Sequence, residues 1–268
     1  PEVEVTRRGI DEPLRGARVL SLRLGKPLRW PLGVEPEALA GACLGPVSRR
    51  GKYLWMDLQE RGGLLLHLGM SGSLALLSSP GPAGAHDHFD LVTTQGTLRL
   101  NDPRRFGAVV WSASPHSEPA ARLLAVLGPE PFDPALTSES FFTQLHRRRA
   151  PIKTVLLSGE LVVGAGNIYA CEALFDAAIH PRTRCDRISR PRAARLLAAV
   201  RSTLARALEL GGSTLRDFTD AHGMSGAYQS QARVYGRAGQ PCLRCGGSVR
   251  RIVQGQRSTF YCPGCQKT

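Results

Sequence analysis

Two cysteine pairs near the C-terminus constrain this chain more than any other feature. Cys242 and Cys245 form one Cys-x2-Cys knuckle, Cys262 and Cys265 form a second, and residues 246–261 lie between them. Each knuckle offers two sulfurs from one tight turn, and the intervening segment can fold as a hairpin that brings the turns together. The spacing is that of a closed four-thiolate site, so one structural Zn2+ is expected, holding the fold and performing no chemistry; four free thiols are the alternative. So small a module buries too little apolar surface to fold unaided, and metal binding supplies its folding energy. Cys43, Cys171 and Cys185 are scattered, and the odd total of seven argues against a disulfide framework.

Gln254-Gly255-Gln256 reads as the turn of that hairpin, which sets Arg257 beside its tip, with Arg250 and Arg251 also between the knuckles. A guanidinium there can grip a phosphate through two N–H bonds. Such a ribbon commonly reads nucleic acid, although some ribbons bind only protein. Charge points the same way: Lys and Arg number 35 against 22 Asp and Glu, for a net +13 over 268 residues. A folded, strongly basic chain suits a polyanionic partner. The hydrophobic share of 42% excludes wholesale disorder. No apolar run approaches the roughly 18 residues of a membrane span, and the charged opening Pro1-Glu2-Val3-Glu4 is unlike a secretory signal. No membrane partner is expected.

Periodicity divides the rest. Residues 2–14 read as a helix. Alternating or apolar runs at 17–24, 52–58, 64–77, 89–94, 97–100 and 108–112, punctuated by turn residues, predict the short strands of an antiparallel sandwich or barrel. From about residue 118 the pattern is helical, over 120–127, 138–148, 166–178 and 192–210. In the last of these, Ala193, Leu196, Leu197, Val200, Leu204 and Leu208 form one apolar stripe, and Gly211-Gly212 ends it. The polar, Gly-rich stretch 219–231 reads as a loop. The expected domains are therefore 1–117, rich in strands; 118–218, helical; a loop at 219–231; and a zinc finger at 232–268.

Several constellations suggest chemistry. Basic clusters recur at Arg49-Arg50-Gly51-Lys52, Arg104-Arg105, Arg147-Arg148-Arg149 and Lys153, as a phosphate-tracking groove would require. Asn101-Asp102-Pro103-Arg104-Arg105-Phe106 presents two arginines and an aromatic from a proline turn, a form that can wedge into a base stack. Gly164-Ala165-Gly166-Asn167 enters a helix with unpaired N–H groups, a phosphate cradle. An amino-terminal proline carries a secondary amine with an ordinary pKa of about 8. Such an amine can attack an aldehyde-level sugar carbon and form an iminium, with Glu2 beside it as acid or base.

In order, these motifs resemble the bacterial formamidopyrimidine-DNA glycosylase family. The matching segments are Glu4 to Ile10, Arg49 to Leu54, His67 to Ser73, His86 to His88, Asp102 to Gly107, Val162 to Ala170, and Gln256 to Cys265. The resemblance implies an α+β multi-domain chain: an N-terminal antiparallel β-sandwich with a flanking helix, a helix-two-turn-helix domain, and a C-terminal β-hairpin zinc finger. It implies a monomeric DNA-repair enzyme of the bacterial cytoplasm and nucleoid. Such an enzyme removes 8-oxoguanine and formamidopyrimidines from double-stranded DNA and cleaves the AP site by β,δ-elimination. It further implies Pro1 as nucleophile on C1′, Glu2 as acid/base partner, Lys52 as proton donor of β-elimination and Arg257 for δ-elimination and phosphate grip. His86, Arg104 and Arg148 stand at DNA-contacting positions, Asn167 and Lys153 at a phosphate clamp. Met70, Arg104 and Phe106 match the three side chains that fill the gap left by an everted base, and residues 219–231 match a lid over it.

One departure concerns the start. The family typically opens Pro-Glu-Leu-Pro-Glu-Val-Glu, whereas this chain reads Pro1-Glu2-Val3-Glu4, so Pro1 matches either proline of the repeated Pro-Glu. On the second match the chain lacks its nucleophile, and Glu2 takes the place of the family's second acidic residue. Two further readings stay open: the sister enzyme that excises oxidised pyrimidines, and a catalytically dead DNA-binding form.

Overall fold

The structure is a computed structural model that describes residues 1–213 and 226–268. Two compact units emerge, Pro1–Ala125 with Leu210–Gln229, and Val126–Glu209 with Ser230–Thr268.

The first unit opens with helix α1 (Glu2–Leu14), whose acidic first turn, Glu2 and Glu4, opposes the positive end of the helix dipole. Thr6, Ile10 and Leu14, four residues apart, share the buried face. Its ionic residues tie it to the next sheet: Arg49 Nε donates to Glu4 Oε2 at 2.9 Å, and the Val47 amide to Asp11 Oδ1 at 2.8 Å. Eight strands follow: β1 (Val19–Leu24), β2 (Val47–Arg50), β3 (Tyr53–Asp57), β4 (Gly63–His67), β5 (Ser73–Leu77), β6 (Asp87–Thr93), β7 (Gly96–Asn101) and β8 (Ala108–Ser112). They make two four-stranded antiparallel sheets, ordered β1-β6-β7-β5 and β2-β3-β4-β8. Alternation along the strands builds the core between them. Leu54, Met56, Leu64 and Leu66 of the second sheet pack with Leu74, Phe89, Leu91, Leu98 and Leu100 of the first, and with Ile10 and Leu14 of α1. Trp55 and Leu65, on the opposite face, are covered by Ala120 of α2 (Ala120–Ala125). The fold is a sandwich. The single run expected over 64–77 is two strands, because Leu68–Gly72 turns between them, closed by the Gly72 amide on the Leu68 carbonyl at 2.9 Å.

The second unit contains α3 (Ser138–His146), α4 (Ile152–Ser158), α5 (Asn167–Asp176) and α6 (Arg190–Glu209). Thr137 caps α3, its Oγ1 accepting the Ser140 amide at 3.1 Å. Helix α6 buries Ala193, Leu196, Leu197, Val200 and Leu204, most of the expected stripe; Leu208 is half-buried. The hairpin β9 (Arg250–Gln254) and β10 (Arg257–Tyr261) pairs Gln254 with Arg257 across Gly255-Gln256. Both turn residues have positive φ, 55° and 59°, the two-residue turn whose twist suits a hairpin. The apolar residues Cys171, Phe175, Val234, Val249 and Phe260 join this module to α5. Of the loop expected over 219–231, the part through residue 225 lies outside the described residues, and Tyr228–Gln231 forms one 3-10 turn. Among the described residues, no helix is long and apolar enough to cross a membrane.

Candidate functional site

Within the first unit, α1 places Pro1 at its N-cap with the ring side chain only 5% exposed and the amine nitrogen 3.8 Å from Glu2 Oε2. Burial pushes the amine below its ordinary value; Glu2 and Glu4 oppose this, while Arg49 and Lys52 reinforce it. Lowering the amine's pKa raises the fraction present as the neutral, nucleophilic form. The other Glu2 oxygen, Oε1, accepts the Ser213 amide at 3.0 Å. For Glu4, burial works upward, but hydrogen bonds from Arg7, Arg49 and Arg8 outweigh it and hold the carboxyl at about 2. Lys52 is exposed on the turn between β2 and β3. At the end of β4, burial and the charges of Lys52 and Arg29 bring His67 down to about 4, against the pull of Asp102. The neutral ring accepts the Gly69 amide at Nδ1, 3.0 Å away, and lies 4.8 Å from the Tyr53 ring.

Three expected side chains stand on two neighbouring loops of this unit. Met70 is 60% exposed and Phe106 46%, and the Arg104 guanidinium lies over the Phe106 ring at 4.8 Å. The loops are locked at the backbone. Gly69 has φ +67°, and a Cβ there would stand 2.6 Å from the Phe106 carbonyl carbon, so only glycine fits. His86 is joined to them through its carbonyl, which accepts the Asp102 amide at 2.9 Å.

In the second unit, Asn167 starts α5 and Lys153 lies in α4, fully buried. Lys153 Nζ donates to Asn167 Oδ1 and Thr259 Oγ1, both at 2.6 Å, and to the Ser258 carbonyl at 3.4 Å. Asn167 Nδ2 donates to the same carbonyl at 2.9 Å and to Tyr235 OH at 3.3 Å. Arg257, next along β10, is exposed and close enough that its charge joins burial in lowering the Lys153 pKa. Arg148, past the end of α3, folds back on the Gln144 carbonyl at 2.7 Å and reaches Glu160 at 3.7 Å.

The four cysteines Cys242, Cys245, Cys262 and Cys265 converge with all sulfurs within 4.8 Å of one another. Cys242 and Cys265 are 3.8 Å apart, and Cys245 and Cys262 3.5 Å. A tetrahedron with Zn–S arms of about 2.3 Å has edges of about 3.8 Å, so the donor set fits zinc. Behind the module, buried Glu172 accepts the amides of Arg233, Val234 and Tyr235 at 2.9, 2.9 and 2.8 Å, and Asp176 pairs with Arg233 and Arg244.

Comparison with known proteins decides the family. The formamidopyrimidine-DNA glycosylase N-terminal domain matches residues 1–109, the formamidopyrimidine-DNA glycosylase H2TH domain residues 127–219, and a zinc finger found in FPG and IleRS residues 239–268. A formamidopyrimidine-DNA glycosylase of Variovorax paradoxus is 60% identical over 267 residues, covering 100% of this chain and 98% of that one. This chain belongs to the formamidopyrimidine-DNA glycosylase family. Two solved structures of such glycosylases superpose with a TM-score of 0.91. One is a Lactococcus lactis FPG mutant bound to Fapy-dG-containing DNA, 31% identical, covering 100% of this chain and 99% of that one. The other is MutM with carbocyclic 8-oxo-G-containing DNA, 32% identical with the same coverage.

As a formamidopyrimidine-DNA glycosylase the chain carries the family's sandwich, H2TH helices and zinc hairpin, with one structural zinc held by the four cysteines. Lys153, expected at a phosphate clamp, is fully buried, and its three N–H bonds have three protein acceptors. Sequence reasoning also passed over Glu172 and Asp176, whose partners lie more than fifty residues away.

Proposed function

We propose that this chain excises oxidised purines, 8-oxoguanine and formamidopyrimidines, from double-stranded DNA and then cleaves the AP site, acting as a monomer. The observation that carries this is the exposed Met70–Arg104–Phe106 cluster on interlocked loops. An enzyme that works on C1′ must take the nucleotide out of the stack, and a rigid apolar wedge with a guanidinium can fill the gap left behind. The two DNA-bound relatives hold DNA containing Fapy-dG and DNA containing carbocyclic 8-oxo-G.

The proline nitrogen attacks C1′ and gives up its proton as the N-glycosidic bond breaks and the departing base takes up a proton; the C1′–O4′ bond then opens, O4′ takes up a proton, and the product is an iminium. Glu2 exchanges protons at this stage. Loss of a 2′ proton expels the 3′ phosphate with Lys52 as proton donor, and δ-elimination then expels the 5′ phosphate at Arg257. His86, Arg104 and Arg148 contact the DNA. Asn167 joins Arg257 at a phosphate by giving up its 3.3 Å bond to Tyr235, and Lys153 holds Asn167 from behind. Zinc, when bound, shapes the hairpin that presents Arg257 and takes no part in the chemistry. We take 1–117 as the catalytic domain, 118–218 as the DNA-binding domain, 219–231 as a lid, and 232–268 as the zinc finger, working on nucleoid DNA in the bacterial cytoplasm.

Borohydride reduction on an 8-oxoguanine duplex tests this, with the chain as numbered and with Pro-Glu-Leu placed ahead of Pro1. A covalent adduct with the chain as numbered supports Pro1. An adduct only with the extended chain moves the nucleophile upstream and removes Glu2 as its partner. Tight binding without an adduct in either form leaves a DNA clamp. Faster release of an oxidised pyrimidine than of 8-oxoguanine assigns the chain to the sister branch.

A further inference from the structure

The wedge side chains have no regular secondary structure beneath them, yet a wedge works only if it resists being pushed aside. Its support converges on one side chain, Asp102, which is fully buried. Ser71 Oγ donates to Asp102 Oδ1 at 2.6 Å, and the amide of Arg104 reaches the same oxygen at 3.3 Å. The amide of Gly107 donates to Oδ2 at 2.7 Å. Asp102's own carbonyl accepts the Arg105 amide at 3.1 Å, and its amide donates to the His86 carbonyl at 2.9 Å. One carboxylate thus brackets Phe106 on its own loop, through Arg104 and Gly107, and reaches across 31 positions of sequence to the residue next to Met70. Arg105 sits at φ +54°, a left-handed conformation that an arginine rarely holds unless its surroundings impose it.

We infer that Asp102 is the positioning residue of the base-displacing wedge: it touches no DNA, and it sets Met70, Arg104 and Phe106 as one rigid unit. The inference rests on the glycosylase reading above. The carboxylate is needed as a pure acceptor. Asparagine has the same shape but turns one oxygen into a donor, which faces either the Gly107 amide, or the Arg104 amide with the Ser71 hydroxyl forced to turn and accept.

The test is single-turnover kinetics of the full-length zinc protein on two duplexes, one with 8-oxoguanine and one with a preformed AP site. D102N and S71A are compared with the unsubstituted chain. Excision of 8-oxoguanine needs the base driven out, whereas incision at an AP site has no base to displace. D102N is expected to slow 8-oxoguanine release by roughly ten- to a hundredfold, the loss of one or two hydrogen bonds to a charged group. AP-site incision should change less than about threefold, since that arm keeps the reacting groups and omits the wedge. S71A should show the same split, more weakly, and it carries the test if D102N does not fold. A 2-aminopurine beside the lesion should brighten less in both variants. Equal loss on both duplexes, or no loss, overturns the inference. Failure of the unsubstituted chain to release 8-oxoguanine would instead count against the glycosylase reading.

Discussion

Replacing Lys153 by methionine separates a phosphate contact from a buried brace. The side chain keeps its volume and loses three donated bonds, two at 2.6 Å and one at 3.4 Å. Each buried acceptor left without its donor costs about 1–3 kcal/mol. The substitution also removes a buried ammonium, whose desolvation costs several kcal/mol and opposes that loss. The net destabilisation should therefore be about 1–3 kcal/mol, less than the sum of the three bonds. Binding is the sharper readout. Each phosphate neutralised contributes about 0.9 to the slope of log K against log salt, so losing one contact shrinks the affinity drop between 50 and 200 mM salt by about 3.5-fold. Arg257→Ala should show that change. Lys153→Met should weaken binding by loosening Asn167 while giving a line parallel to that of the unsubstituted chain. Fluorescence anisotropy at four salt concentrations, on a duplex carrying a reduced abasic site that cannot be cleaved, measures all three slopes. A slope reduced by about 0.9 in Lys153→Met would place its ammonium on a phosphate and refute the burial argument.

Three further outcomes are expected. Chelation of zinc should unfold the C-terminal module and abolish DNA binding while the strand signal of the sandwich persists; affinity retained after verified metal loss contradicts this. Acid should act in two windows. His67 falls from 6.5 to about 4 on folding, so the unfolded chain takes up the proton first, and as much as about 3 kcal/mol is lost as pH drops through that interval. Glu4 contributes stability above 4.5 that disappears as pH falls toward about 2. Urea midpoints of Glu4→Gln should therefore decline less steeply below pH 4.5 than those of the unsubstituted chain. Glu172→Ala frees three backbone amides and should cost about 3 kcal/mol and speed zinc release to a chelator; an unchanged release rate would show that the carboxylate does not brace the module.

Features carried by local pattern were readable from the residues alone. The zinc knuckles, the Gly255-Gln256 turn, α1 and the stripe of α6 all follow from spacing over a few positions. Strand β2 was not, because Val47-Ser48-Arg49-Arg50 holds a single apolar residue and is kept in the sheet by pairing with β3 and by Glu4 and Asp11. Helix α4 was missed for another reason. It is short, and with Ile152, Lys153, Val155 and Leu156 buried, only Thr154 and Ser158 mark its exposed face, too few to show a period. Met70, Arg104 and Phe106, proposed above as the wedge, were singled out through resemblance, but the contacts of the buried carboxylate beside them were not. Asp102 meets Ser71, and Glu172 meets Arg233 to Tyr235, only after the chain has folded.

The two-residue turn at Gly255-Gln256 leaves the hairpin no slack. One added residue there would shift β10 by a single place and exchange its faces, turning Phe260 out of the apolar cluster and Thr259 away from Lys153. Arginine reach at the tip therefore cannot be tuned by lengthening the loop. A different reach at position 257 requires a different side chain there, because the four-cysteine site and the strand pairing between them fix where its α-carbon stands.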